Sequence, residues 1–281
     1  MGCKAQVRFM SVKTALSRSG LPDLEYALNP YVGCQHGCLY CYAPNYVGDT
    51  DVKANWGRLV VVKENLGDVL LEEVLKKKRG VVGLGTITDA YQQVESVYGL
   101  ARLSLKILLT HGFRVSIQTK STLVIKDIDI LMKYKDRVDI GFTITNLNYE
   151  KAKLVEPCSP PPAERIKILR LLSETGLKTW VFIGPLIDFR DGEFEKDMEK
   201  LILQVKDYVD VIYYDHMRLK PSIYLLDDPY RLMLVKSALN KDTLLRIIEN
   251  LCIEHGVKCK PAFSDIKQQK LYGNTLDEVN G

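Results

Sequence analysis

The feature that most constrains the fold is a repeated alternation of short apolar segments with longer amphipathic ones. The amphipathic segments have helical spacing and include 93–112, 161–176 and 194–208. The apolar segments read as strands at 81–88, 114–121, 138–145, 177–187 and 209–217. These strands are continuous apolar runs, which is typical of a parallel sheet covered on both faces. The intervening helices are long enough for right-handed crossovers.

The number of repeats predicts an α/β fold built as a partial barrel. With one strand before Cys34, the chain has about six βα units, fewer than the eight of a complete TIM barrel. We therefore expect a partial (βα)6 TIM-type barrel over about 25–225, followed by a helical C-terminal extension over about 226–281. The sequence has no linker or internal repeat, so the prediction is a single domain over 1–281.

Composition limits the class of protein without identifying it. The net charge of +4 permits contact with nucleic acid but does not require it. No run of about 18 apolar residues and no apolar signal segment is present, so we expect no membrane span and a cytoplasmic location. Seven cysteines are too few for a disulfide framework. The sequence predicts that the scattered Cys3, Cys158, Cys252 and Cys259 are free thiols.

The remaining cysteines, Cys34, Cys38 and Cys41, lie within eight residues and indicate metal binding. A zinc ion would need a fourth ligand, either His36 in a strained arrangement or one of the scattered cysteines. A four-iron cluster can instead take three thiolates and leave one iron open to a substrate or cofactor. A non-catalytic iron–sulfur or zinc protein remains the alternative to an enzyme.

Polar side chains follow three neighbouring predicted strands. Because ligands of parallel α/β folds sit at the carboxyl ends of the strands, these groups should line one mouth beside the cysteines. They are Thr86, Thr88, Asp89, Gln118, Thr119, Lys120, Ser121, Thr143, Thr145 and Asn146.

The spacing C-x3-C-x2-C, with Tyr40 before the last cysteine, resembles the signature of the radical S-adenosylmethionine (SAM) superfamily. The segments "NPYVGCQHGCLYCYA", "TDAYQ", "GFRVSIQTKS", "GFTITNL" and "EPCSPPPAERI" resemble its spore photoproduct lyase-like branch, related to DNA repair photolyases. The resemblance implies a [4Fe–4S] cluster on Cys34, Cys38 and Cys41 that binds SAM at its open iron. It also implies reductive cleavage of SAM to a 5′-deoxyadenosyl radical, with an electron donor of the ferredoxin or flavodoxin type.

The same resemblance implies a set of SAM contacts. Tyr40 would offer its backbone to the adenine, and Thr88 and Lys120 would contact SAM. Thr143 would lie near the ribose, and Arg165 would pair with the carboxylate through its planar fork. The alternative for Lys120 and Arg165 is a surface ion pair.

One residue departs from the spore photoproduct lyases. Those enzymes have a cysteine where Thr86 stands, and it returns a hydrogen atom to the product radical. A threonine O–H bond is too strong for that role, so repair of thymine photoproducts is not expected here. Cys158 is the candidate catalytic thiol, and Arg218 and Lys220 are candidates for contact with nucleic acid. Nucleic-acid repair or modification therefore stays an alternative, and the substrate is left open.

Overall fold

A computed structural model describes residues 3–21 and 23–262, in which strands and helices alternate. The strands are β1 Gln6–Met10, β2 Ser17–Arg18, β3 Tyr26–Leu28, β4 Tyr31–Val32, β5 Leu59–Lys63, β6 Val81–Leu84, β7 Arg114–Thr119, β8 Val138–Thr143, β9 Lys178–Leu186, β10 Val211–His216 and β11 Cys259–Pro261. The helices are α1 Thr50–Ala54, α2 Leu66–Lys76, α3 Glu95–Tyr98, α4 Leu100–Thr110, α5 Ile128–Lys133, α6 Tyr149–Val155, α7 Pro162–Glu174, α8 Phe194–Val205, α9 Tyr230–Leu239 and α10 Lys241–Glu254.

The main sheet has the order β11-β10-β9-β8-β7-β6-β3-β2. Its neighbours from β3 through β11 pair in parallel, and β2 pairs antiparallel with β3 at the edge. Among the described residues no ladder joins β2 to β11, so the barrel stays open. The predicted α/β partial barrel is therefore confirmed, and five of its strands, β6 to β10, lie where the apolar runs predicted them.

The core lies between this sheet and the helices that cover it. Ile140 and Phe142 of β8 are fully buried, as are Leu105 and Leu108 of α4. Each such side chain stabilises the fold by about 1.5–3 kcal/mol relative to an exposed position. Burial on both faces explains why these strands read as continuous apolar runs.

Some elements differ from the predictions. The helix expected over 93–112 breaks at Gly99, whose φ of 63° lies in the left-handed region and separates α3 from α4. The C-terminal extension is not wholly helical, because β11 follows α10 and pairs with β10. The sheet therefore continues beyond residue 225, and the rest of the predicted extension, 263–281, lies outside the described residues.

A second sheet was not predicted. It has the order β1-β5-β4, so β5 pairs in parallel with β1 from the start of the chain and antiparallel with β4, which precedes the cysteines. Strand β1 is mostly exposed, so it lacks the apolar pattern that identifies a buried strand. The single-domain organisation stays a prediction.

The prediction of four free thiols is wrong. Cys3 pairs with Cys158 and Cys252 pairs with Cys259, with Cα–Cα distances of 5.5 and 6.1 Å. The partners of the first bond are 155 residues apart, so only folding brings them within bonding distance. In the described part of the chain, no helix combines the length and apolar character needed to cross a membrane. The cytoplasmic location stays a prediction.

Candidate metal centre

The cysteine cluster occupies the loop that follows β4. Cys34 and Cys38 are buried, Cys41 is half-buried, and these are the free cysteines of the described residues. The loop begins at Gly33, whose φ is 90° and where an added Cβ would lie 2.4 Å from the carbonyl oxygen of Leu59. Only glycine fits this turn, so its backbone and β5 fix where the first cysteine points.

The spacing of the three sulfurs bears on which metal group they fit. A tetrahedral zinc ion, bonded to sulfur at about 2.3 Å, would hold the sulfurs about 3.8 Å apart. Within residues 3–21 and 23–262, however, the three cysteine sulfurs do not all lie within 4.8 Å of one another. The group of ligand atoms that meets this distance belongs to Glu199, Glu254 and His255. A four-iron cluster gives each thiolate its own iron and needs wider spacing. The donor set therefore fits a cluster better than a single zinc ion.

The cysteine environment requires a positive partner before the thiolates can form. Burial raises the pKa of Cys34 and of Cys38, and it raises the pKa of Cys41 to about 12. Bound metal supplies the positive charge that offsets this cost and releases the protons.

His36, considered above as a zinc ligand, is occupied by other contacts. Its Nε2 lies 2.9 Å from Asp89 Oδ2, and its Nδ1 lies 3.4 Å from the carbonyl oxygen of Cys158. Asp89 also accepts hydrogen bonds from Thr119 Oγ1 at 2.7 Å and from the backbone N–H of Lys120 at 2.8 Å. Burial raises the pKa of Asp89, but His36 and these donors outweigh it and hold that pKa at about 2. Asp89 thus fastens the cysteine loop to the ends of β6 and β7.

Thr88, a predicted SAM contact, braces the same loop. Its hydroxyl donates to the carbonyl oxygen of Gly33 at 2.6 Å and accepts from Gln92 Nε2 at 2.8 Å. The Gln92 side chain also accepts from the backbone N–H of Gln35 at 2.8 Å. In the structure this hydroxyl therefore contacts protein groups on both sides.

Lys120 lies half-buried beside the cluster, with Nζ 5.6 Å from the centre of the Tyr40 ring. Burial lowers the pKa of Lys120, but the charges of Cys38 and Glu156 outweigh it, so the pKa is raised and the ammonium is favoured. Among the described residues, no carboxylate oxygen lies within 4.0 Å of Lys120 Nζ, so Lys120 forms no ion pair there. Its hydrogens are available to an anionic ligand.

Arg165 is buried, with 1% of its side chain exposed, so the alternative of a surface ion pair is wrong for this residue. Its Nη2 lies 2.5 Å from Glu156 Oε2, its Nε donates to Pro160 O at 2.8 Å and its Nη1 donates to Thr143 O at 2.9 Å. The Thr143 hydroxyl accepts from Gln118 Nε2 at 3.0 Å. The end of β8 is thereby held to the start of α7.

Glu156 is the main residue that the sequence did not identify. Its carboxylate accepts a short hydrogen bond from the Tyr40 hydroxyl and another from Thr145 Oγ1 at 3.2 Å. The available signal was its place at the start of the proline-rich "EPCSPPP", shortly before Arg165.

Thr86 and Cys158 have contacts of their own. The Thr86 hydroxyl lies 3.1 Å from Asn29 Nδ2, and its carbonyl oxygen accepts from the Tyr42 hydroxyl. Cys158, the candidate catalytic thiol, is bonded to Cys3 and so carries no thiol hydrogen here. As for the rest of the mouth, the structure brings Tyr40, Lys120, Thr143 and Arg165 together around the free cysteines.

The fold and the site define an open α/β barrel with three free cysteines at the carboxyl ends of its strands. Residues 28–201 match the family model of the radical SAM superfamily. Because this match covers more than half of the chain, the protein belongs to the radical SAM superfamily, as the resemblance indicated.

Two curated relatives have the same sequence identity to this chain over their aligned regions. An uncharacterised protein of Methanocaldococcus jannaschii is 33% identical over 223 residues, covering 79% of this chain and 82% of that protein. An uncharacterised protein of Acidianus two-tailed virus is 33% identical over 196 residues, covering 66% of this chain and 64% of that protein.

Solved structures share the fold. Spore photoproduct lyase complexed with dinucleoside spore photoproduct aligns with a TM-score of 0.66 at 13% identity, covering 92% of this chain and 82% of that chain. SuiB of Streptococcus suis bound to S-adenosylmethionine aligns with a TM-score of 0.57 at 12% identity, covering 84% of this chain and 49% of that chain. At these identities the likeness establishes the partial barrel alone.

Proposed function

We propose that this protein cleaves SAM reductively and uses the resulting 5′-deoxyadenosyl radical to abstract hydrogen from a substrate still to be identified. The observation that carries the proposal is that Cys34, Cys38 and Cys41 stay free at the mouth of the barrel while the other described cysteines pair. When bound on these thiolates, a [4Fe–4S] cluster supplies the electron that breaks the S–C5′ bond of SAM.

The chain's own residues hold SAM and keep the loop in place. Lys120, a cation with available hydrogens, pairs with the carboxylate of SAM. The backbone of Tyr40 contacts the adenine, and Thr143 lies near the ribose. Thr88 and Arg165, whose hydrogens go largely to protein groups, contribute by bracing the loop and the end of β8. A donor of the ferredoxin or flavodoxin type supplies the electron.

Metal analysis after anaerobic reconstitution tests the ligand assignment. We expect about four irons per wild-type chain and an EPR signal that changes when SAM is added to the reduced protein. Cys34→Ala, Cys38→Ala and Cys41→Ala should each lose this signal. The double variant Cys252→Ser/Cys259→Ser, which removes a disulfide elsewhere in the fold, is the matched control and should keep it. Zinc alone in the wild-type site would contradict the proposal.

A second candidate function, action on nucleic acid, is favoured by an aromatic and basic surface beside Cys41. Tyr42 and Tyr46 are 44% and 51% exposed and meet edge to face, with ring centres 5.9 Å apart. Lys220 Nζ lies 3.1 Å from the Tyr46 hydroxyl and 5.4 Å from the centre of its ring. Exposed rings stack on bases, and an adjacent cation attracts phosphate.

Binding of single-stranded oligonucleotides as salt rises tests this candidate. Phosphate contacts make affinity fall steeply with salt, and Lys220→Ala should reduce that slope by about one. Tyr46→Ala should weaken binding by the loss of stacking. A salt-independent affinity, or equal binding by both variants and the wild type, would contradict the nucleic-acid reading and leave the SAM chemistry untouched.

A further inference from the structure

Glu156 is a fully buried carboxylate at a junction of three parts of the fold. It follows the last residue of α6 and meets Tyr40 of the cysteine loop, Thr145 beyond the end of β8 and Arg165 of α7. Tyr40 is 116 residues away in the sequence, so the contact exists only in the folded chain. A buried carboxylate is costly unless charge and hydrogen bonds compensate it, which indicates that its surroundings are organised around it.

The two carboxylate oxygens of Glu156 have different partners. Oε1 accepts from the Tyr40 hydroxyl and from Thr145. Oε2 lies close to Arg165 Nη2 but receives no hydrogen bond of adequate geometry. Burial raises the pKa of Glu156, but Arg165, Lys120 and the Tyr40 hydroxyl outweigh it and the pKa is lowered. The carboxylate therefore carries its charge, paired with Arg165 and attracted by Lys120.

Tyr40 connects this carboxylate to the cluster ligands. It lies between Cys38 and Cys41 in the sequence, its hydroxyl is bound to Glu156 and its ring lies beneath the ammonium of Lys120. Movement of the Tyr40 ring would shift both the spacing of two thiolates and the position of Lys120. Restraining the hydroxyl at its far end restrains both.

We propose that Glu156 is a positioning residue that sets the Cys38–Cys41 segment and the Lys120 ammonium at the same time. It acts through Tyr40 on the loop, and its negative charge attracts both Arg165 and Lys120, whose like charges repel each other. The inference deepens the proposed function, because it assigns one carboxylate to the geometry of both the thiolates and the site for the SAM carboxylate.

The first test uses the metal-free protein and needs no activity. The rate of alkylation of Cys41 by iodoacetamide, followed by mass spectrometry, reports how firmly the loop is held. We expect Glu156→Gln and Tyr40→Phe each to raise this rate at least tenfold. The double variant should match Glu156→Gln, because both changes act on the same Tyr40–Glu156 hydrogen bond: one removes the charge of its acceptor and the other removes its donor. An unchanged rate, or effects that add, would overturn the proposal.

A matched control is available in the chain itself. Tyr31 and Glu95 form a second buried tyrosine–glutamate pair, whose other hydrogen bonds go to α4 rather than to the Cys38–Cys41 segment, so Tyr31→Phe and Glu95→Gln make the same chemical changes at a different pair. These controls should leave the alkylation rate at the wild-type value. If they raise it equally, Glu156 has only a structural role. If Glu156→Gln does not fold, as judged by circular dichroism, Tyr40→Phe decides the question.

The second test uses the reconstituted protein. Glu156→Gln should retain its iron and show an altered EPR change when SAM is added. Its kcat for 5′-deoxyadenosine formation should fall at least tenfold. A wild-type spectrum in this variant would overturn the inference. If the wild type itself forms no 5′-deoxyadenosine, the proposed function fails, while the alkylation result still decides whether Glu156 positions the loop.

Discussion

Two buried tyrosine–glutamate pairs have the same chemistry and different surroundings. Tyr31 donates a short hydrogen bond to Glu95, and Tyr40 donates one to Glu156. Glu95 also accepts from the backbone N–H groups of Ala101 and Arg102 at the start of α4, at 2.9 and 3.0 Å. It satisfies donors that a helix start leaves unpaired. Burial dominates there, and the pKa of Glu95 is raised.

At the mouth of the barrel, the Tyr40–Glu156 pair has cations nearby. Arg165 and Lys120 hold the pKa of Glu156 below its ordinary value despite burial. The first pair joins a strand to a helix in the core, whereas the second joins a loop of free thiols to two cations. The difference teaches that nearby charge, rather than the hydrogen bond itself, separates a structural pair from one that organises a site.

The largest expected difference in stability comes from removing the Glu156 carboxylate at the mouth of the barrel. Glu156→Ala leaves the buried Arg165 guanidinium without its counter-ion, and breaking a buried ion pair in this way costs about 3–5 kcal/mol. Urea unfolding of the metal-free protein measures the loss. A loss below about 1 kcal/mol would show that solvent or another group replaces the carboxylate.

Glu95→Ala should cost less, about 1–3 kcal/mol, because it leaves neutral donors rather than a charge unsatisfied. The same urea measurement applies, and iron content after reconstitution should stay at the wild-type value. Loss of iron in this variant would remove the distinction between the two pairs.

The two glutamates should also respond to pH with opposite signs. The raised pKa of Glu95 means that its contribution to stability is full below the unfolded value and is lost as pH rises through the folded pKa. The lowered pKa of Glu156 means that its contribution is present above the unfolded value and is lost as pH falls through the folded pKa. The stability difference between wild type and Glu95→Gln should therefore shrink as pH rises from about 4 to 7, whereas that for Glu156→Gln should grow as pH rises from about 2 to 5 and stay level above it. Parallel trends would contradict the assignment.

The smallest expected effect concerns the weaker donor to Glu156. Thr145→Val removes the 3.2 Å hydrogen bond and should cost about 0.5–1.5 kcal/mol, since Tyr40 and Arg165 remain. Thermal unfolding measures the change. A cost equal to that of Glu156→Ala would mean that Thr145, rather than Arg165, stabilises the carboxylate.

The sequence predicted the barrel because burial on both faces leaves a local pattern in β6 to β10. It singled out the three clustered cysteines because their spacing is local too, and their role as metal ligands stays a prediction. Strand β1 and the bond between Cys3 and Cys158 leave no such pattern, since they depend on partners far along the chain. Glu156 was missed for the same reason: a single glutamate in a sequence gives no sign of the tyrosine that it will meet.

Formation of 5′-deoxyadenosine tests the central claim most directly. The reconstituted wild-type protein, reduced without oxygen in the presence of SAM, should form 5′-deoxyadenosine and methionine in equal amounts. Cys38→Ala should form neither above the protein-free background. A wild-type protein that carries its cluster and binds SAM but forms no 5′-deoxyadenosine, or a Cys38→Ala variant as active as the wild type, would contradict the account.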